Sequence, residues 1–376
     1  MTTVYISIGT PKTGTTALQN FMRRNDGEMR KQGYCYPLLR LGISGLYRDR
    51  NGQFLIYESH QENKKEHEAE VKKKAYEQLG ELAKQYPNIV LSDEQIWYRC
   101  RRSENFWREV IEDFRKINCE IKVIAYLRRQ DLLIQSLWNQ SIKMFRKGTM
   151  TFQQCMENDY FRYFPMDYYE NLKFIEKDLG KENIIVRPYE RGRFEGSEHT
   201  IFSDFFESIG LKLTDGFDRD GDTRNLGLEG NYIEIKRLIN GVPEYREMRD
   251  FLSRPVLYGS TYRSEIGENP KSGMFTYEEQ VAYLAQFEEG NQKIAEEYLG
   301  RPKGEPLFYD EVRAMPVWSL NEETMYRDII TTMTEAFCAQ EKKMIEMNQK
   351  MEKLQMMYNC WFFRTYRKLS RMFKRK

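Results

Sequence analysis

Short apolar runs alternate with long stretches of helical period along this chain. Val4-Tyr5-Ile6-Ser7-Ile8 is a β-branched and aromatic run that predicts a buried strand. Gly9, Pro11 and Gly14 punctuate a turn, and the apolar period from Thr16 to Arg24 predicts a helix. The same alternation recurs. A charged helix is expected over Glu66 to Tyr86, with Ala75, Leu79 and Ala83 on one face, and Ile89-Val90-Leu91 reads as a second strand. Phe106, Trp107, Val110, Phe114 and Ile117 mark another helix, and Ile121 to Leu127 a third strand. A helix then runs through Ser136, Trp138 and Ile142, and Asn183-Ile184-Ile185-Val186 is a fourth strand. Only crossover connections join parallel neighbours, so strands separated by helices predict βαβ units. The expected fold is α/β: a P-loop-like parallel sheet flanked by helices, with a C-terminal helical extension.

That extension has its own period. From Ile330 the apolar positions Met333, Phe337, Met344, Met347, Met351, Leu354 and Tyr358 alternate spacings of three and four once Gln340 is counted. This is a heptad seam, which predicts a coiled coil, most simply a homodimer, or else a helix folded back on its own domain. Trp361 to Lys376 continues as a basic amphipathic segment, with aromatic anchors opposite arginines and lysines. An anionic membrane surface, an acidic polysaccharide or plain solvent would each suit it.

Composition narrows the class. The chain has 376 residues, enough for one large α/β domain or two smaller ones, and a net charge of only +2, which argues against bulk nucleic-acid binding. Six dispersed cysteines without C-x-x-C pairs, and a strand almost at the start, predict a reduced cytoplasmic setting. The three histidines form no metal-ligand spacing, and no apolar run reaches membrane-spanning length.

The candidate chemistry lies at the strand ends. Lys12, Glu94, Arg128 and Arg187 all fall at or just past the carboxyl ends of predicted strands, where open α/β sheets hold their ligands. A loop that feeds a helix N-terminus offers unsatisfied amides and the positive end of the helix dipole to an anion. Gly9 and Gly14 have the separation of a nucleotide P-loop, but Thr15 stands where the Walker lysine belongs and the lysine comes earlier, at Lys12. Around the site, Gly33 to Glu58 reads as a long connection from which Tyr36, Arg48 or Tyr57 would either touch a substrate or serve as ordinary surface and packing residues, the latter being the simpler reading for any one of them. The aromatic group Tyr160, Phe161, Tyr163, Phe164, Tyr168 and Tyr169 suits either core packing or a sugar ring.

Pro11-Lys12-Thr13-Gly14-Thr15-Thr16 resembles the 5′-phosphosulfate loop of sulfotransferases that use 3′-phosphoadenosine 5′-phosphosulfate (PAPS). Arg128 with Ser136, eight positions later, resembles that family's 3′-phosphate motif. Leu91-Ser92-Asp93-Glu94 is similar to a segment of its bacterial, carbohydrate-type branch in which the glutamate is the base. The resemblance extends over residues 1 to 309, through Ile185 to Arg191, Asp204-Phe205-Phe206, Asn225-Leu226-Gly227-Leu228 and Asn291. It implies a sulfotransferase domain over 1–309; the prolines and the shift in composition beyond it predict a linker over 310–322 and a coiled-coil helix over 323–376 that ends in the basic amphipathic segment. PAPS would be the sulfate donor, with no metal, and a glycan or glycolipid hydroxyl the acceptor. Lys12 and the loop residues Pro11 and Thr13 to Thr16 would hold the phosphosulfate, and Arg128 and Ser136 the 3′-phosphate. Glu94 would be the general base, with Glu58, His60 and Asp93 as rivals. The chain departs from the family pattern at Ala17-Leu18, where small-molecule members carry an adenine-stacking Trp, and at Arg129-Gln130, which replaces a frequent Asn-Pro. Two other readings stay open: a P-loop kinase-like phosphoryl transferase, and a coiled-coil scaffold that binds a nucleotide without catalysis. Peripheral docking on the inner membrane face would follow from the basic C-terminus.

Overall fold

The structure of the protein, a computed structural model, describes residues 1–42, 49–143, 148–219, 227–247, 252–267, 271–359, 365–366 and 370. Arg48, Asn225, Leu226 and nearly all of Trp361 to Lys376, each singled out above, lie outside the described residues. The chain divides into two compact units. The first comprises 1–138, 150–225 and 272–317; the second comprises 139–149, 226–271 and 318–376.

The first unit is built on a five-stranded sheet: β1 (Thr2–Gly9), β2 (Tyr34–Cys35), β3 (Asn88–Ser92), β4 (Cys119–Leu127) and β5 (Ile184–Pro188). The spatial order is β2-β3-β1-β4-β5 and every pairing is parallel. Each expected strand is present within a residue or two of its predicted bounds. The addition is β2, two residues long, inside the stretch read as an unbroken connection.

Side-chain alternation explains why both faces of the sheet are covered. Val4, Ile6 and Ile8 of β1, Ile89 and Leu91 of β3, and Val123 and Ala125 of β4 face one core. There they meet Ala75 and Leu79 of helix Lys64–Ala83 and Trp107 and Phe114 of helix Phe106–Lys116. The intervening Val90, Ile124 and Tyr126 face the other core, with Leu18, Phe21 and Met22 of helix Thr15–Arg24 and Phe205 and Phe206 of helix Ile201–Ser208. Burying each such Val, Leu, Ile, Phe or Met side chain stabilises the fold by about 1.5–3 kcal/mol. The period of two thus fixes register, since a one-residue slip would exchange the two cores.

The second unit is helical. Asp328, on helix Glu322–Asn359, accepts hydrogen bonds from Asn231 Nδ2 at 2.9 Å and Tyr232 OH at 3.3 Å on helix Asn231–Gly241. It also accepts one from Arg263 Nε at 3.2 Å, on helix Ser253–Glu265. Among the described residues no helix is long and apolar enough to cross a membrane, and no group of His, Cys, Asp and Glu is placed to hold a metal ion.

Candidate active site at the carboxyl edge of the sheet

The site begins with strand order. β1 lies between β3 and β4, so the loop after β1 has the carboxyl ends of both neighbours about 4.8 Å to either side. This puts Lys12 between Glu94, just past β3, and Arg128, just past β4, at the edge where such sheets hold ligands.

Main-chain and side-chain bonds fix the loop. Thr10 N donates to Tyr126 O at 2.6 Å, and Thr13 Oγ1 donates to Thr10 O at 2.5 Å. The hydroxyl proton of Thr13 is therefore committed inside the loop, whereas Thr15 is buried and Thr16 exposed. Pro11 is half-buried. Lys12 itself sits in the left-handed region at φ 68. Gly14, at φ 75, caps helix Thr15–Arg24 without a side-chain cap and without an acid in the first turn, so the amides there face an uncompensated positive dipole. Gly9 is required by crowding: a β-carbon there would lie 3.1 Å from Glu94 O and 3.2 Å from Glu94 Cβ. There is thus no room for a side chain between the base of the loop and Glu94.

Arg128 binds the same loop. Its Nη1 donates to Lys12 O at 2.9 Å, and Tyr168 OH donates to Arg128 O at 2.6 Å, so both side chain and backbone are held. No carboxylate among the described residues pairs with it. Burial lowers its pKa, with Tyr189 raising it and nearby Arg191 lowering it further. A half-buried cation without a counter-ion, next to uncapped amides, fits a phosphate, which would supply the missing charge. Ser136, half-buried two turns into helix Gln130–Lys143, has a hydroxyl without a protein partner among the described residues. Arg129 is differently engaged, with Nε and Nη2 on the Asp131 carboxylate at 2.8 and 3.0 Å.

Glu94 is one-fifth exposed, and its Oε2 accepts from Gln19 Nε2 at 3.1 Å with Arg50 Nε 3.7 Å away. Its rivals stand differently. Asp93 is fully buried and takes Arg50 Nη2 at 2.6 Å and Gln95 N at 2.8 Å. Burial first, then Glu94, push its pKa up to about 6 against the pull of Arg50. Glu58 is bound by Arg99 at 2.8 Å and by Arg102; burial raises its pKa, but the two arginines outweigh that and hold it below the usual range. His60 is exposed on a loop. Of the four, Glu94 is the one whose backbone and Cβ abut the Lys12 loop.

Arg187 does not join the site. Its guanidinium forms a two-pronged bond to the Asp204 carboxylate at 3.0 and 2.7 Å and also meets Glu195, a pairing that ties β5 to the helix behind it. Tyr36 is buried with its hydroxyl on Asp49 O, and Tyr57 packs beside His67. The aromatic group is mainly core, with Phe161, Phe164 and Tyr168 buried and Tyr163 exposed. Sequence reasoning missed Tyr189, whose hydroxyl lies 3.5 Å from where a Cβ on Gly14 would sit, and Arg191, close enough to Arg128 to repel it. Both directly follow β5, so the strand-end rule that selected Lys12 and Arg128 was the available signal.

No model of a known protein family matches the chain. An uncharacterized protein of Archaeoglobus fulgidus is 29% identical over 205 residues, which are 53% of this chain and 52% of that protein. The chain therefore spans about half the length of the relative it matches. Among solved structures, a sulfotransferase from Alicyclobacillus acidocaldarius is similar with a TM-score of 0.36 and 12% identity, over 70% of this chain and 94% of that one.

Proposed function

We propose that the chain transfers the sulfuryl group of PAPS to a hydroxyl of a glycan or glycolipid. The observation that carries this reading is the bond from Arg128 to the carbonyl of Lys12, which puts two cations on neighbouring strand ends beside an uncapped helix N-terminus. A donor with phosphates at both ends of its nucleoside needs such a divided site. Lys12, Thr15, Thr16 and the loop amides would hold the phosphosulfate, while Arg128 and Ser136 would hold the 3′-phosphate.

In the transfer, the acceptor oxygen forms a bond to sulfur as the bond from sulfur to the phosphate oxygen breaks. Glu94 takes the proton that the hydroxyl loses, and Lys12 with the amides stabilises the charge left on the phosphate. Gln19 and Arg50 on Glu94 Oε2 fix the orientation of the carboxylate. The acceptor class rests on the likeness of the Leu91 to Glu94 segment to carbohydrate-type enzymes.

The test is incorporation of radiolabelled sulfate from PAPS into cell-envelope fractions. Label should enter a hydroxyl-bearing glycan fraction with the wild type and be lost with Lys12→Ala. Tight donor binding without transfer to any fraction would overturn the catalytic reading.

A further inference from the structure

Helix Glu322–Asn359 carries two stripes with different fates. Asp328, Thr332 and Ala336 are buried and hold the helix inside its own unit. The heptad seam is elsewhere on the surface and extends one position before the Ile330 start read from the sequence, to Tyr326. Every apolar residue of that seam is between 45 and 79% exposed. Beyond Phe337 all sides of the helix are exposed as far as Tyr358. An unpacked helical stretch of this length is marginal in water, so the seam calls for a partner with the same period.

We propose that the partner is a second copy of this chain, paired in parallel and in register. In that pairing Ile330, Phe337, Met344, Met351 and Tyr358 occupy the a positions. Tyr326, Met333, Met347 and Leu354 occupy d, and Gln340 is the one polar d residue. The seam then runs about 50 Å, from 326 to 358 at 1.5 Å per residue. In parallel register Gln340 meets the second copy's Gln340, and the two amides bond each other. Lys343 at g faces the second copy's Asn348, and Lys350 faces its Gln355, so no like charges meet. The antiparallel register that fills the same layers puts Gln340 against Met344, stacks Glu341 on Glu341 and sets Lys343 on Lys343. That arrangement buries an unpaired amide and adds two repulsions, so charge and polar matching select the parallel form. This inference does not depend on the proposed sulfuryl transfer.

Sedimentation equilibrium of the full chain at tens of micromolar should give twice the chain mass. The double variant Met344→Glu, Met351→Glu should be monomeric, with a dissociation constant raised at least 100-fold, and binding of 3′,5′-adenosine bisphosphate should be unchanged in it. Orientation is read by disulfide trapping in a Cys338→Ser, Cys360→Ser background. Leu354→Cys should cross-link to itself, whereas an Ile330→Cys chain mixed with a Leu354→Cys chain should give no 330–354 product. A wild-type monomer or trimer, a 330–354 cross-link, or a monomer that sediments with phosphatidylglycerol vesicles would each overturn the proposal.

Discussion

The guanidinium of Arg128 donates to the main-chain carbonyl of Lys12 at 2.9 Å, so a side chain from the end of β4 holds the loop that follows β1. This bond uses one of five guanidinium donors and leaves the others for a ligand. It also steadies a lysine held at φ 68, where a non-glycine residue costs about 1–2 kcal/mol. Because the acceptor is a backbone atom, the tie persists whatever side chain stands at position 12.

Lys12→Gly separates stability from function. Glycine takes this φ without strain, so thermal unfolding should show stability unchanged or raised by up to about 1 kcal/mol. On the proposed mechanism sulfate transfer should fall by about 10²–10³ in kcat, since the leaving phosphate would lose its main counter-ion. Loss of fold together with activity would contradict this.

Glu94→Gln keeps the shape of the side chain and removes the proposed proton acceptor. Turnover should drop by about 10²–10⁴ while donor affinity, read by calorimetry, stays within about threefold. A variant that transfers sulfate at the wild-type rate would return the base role to Glu58, His60 or Asp93.

Gly9→Ala places a methyl group 3.1–3.2 Å from Glu94 at a φ of 106. The expected cost is about 1–3 kcal/mol in urea unfolding, with turnover reduced because Glu94 and the loop are pushed apart. Unaltered stability would mean that the contact relaxes freely.

Asp93 gives a pH signature. Its carboxyl is raised from 3.8 to about 6, burial being the largest cause. The folded chain then holds this proton more tightly than the unfolded one, so the associated stability is present below the unfolded value and is lost as pH rises toward about 6. Across that window the unfolding free energy of the wild type, minus that of Asp93→Asn, should fall by up to roughly 3 kcal/mol. A flat difference would contradict the assignment.

The sheet was legible because its strands are apolar runs with period two and its helices have period 3.6. Only β2 escaped, as two residues carry no period. The position of Lys12, Glu94 and Arg128 at one edge was legible because a parallel sheet sends every strand's carboxyl end there. Arg187 obeyed the same rule and proved structural: its partner Asp204 lies seventeen positions on, and no local pattern marks that pairing. Tyr189 belongs to the Ile185 to Arg191 segment without a motif of its own, and only the fold sets it beside Gly14. The division into two units was also hidden, since 226–271 joins 318–376 only through contacts such as those of Asp328.

The most direct measurement is calorimetric titration with 3′,5′-adenosine bisphosphate, 5′-AMP and ATP, on the wild type and on Arg128→Ala. The wild type should prefer the bisphosphate over 5′-AMP by at least tenfold. Arg128→Ala should lose that preference, because a charged hydrogen bond of about 1.5–3 kcal/mol disappears. Equal affinity for 5′-AMP and the bisphosphate in the wild type, or tighter binding of ATP, would contradict the account.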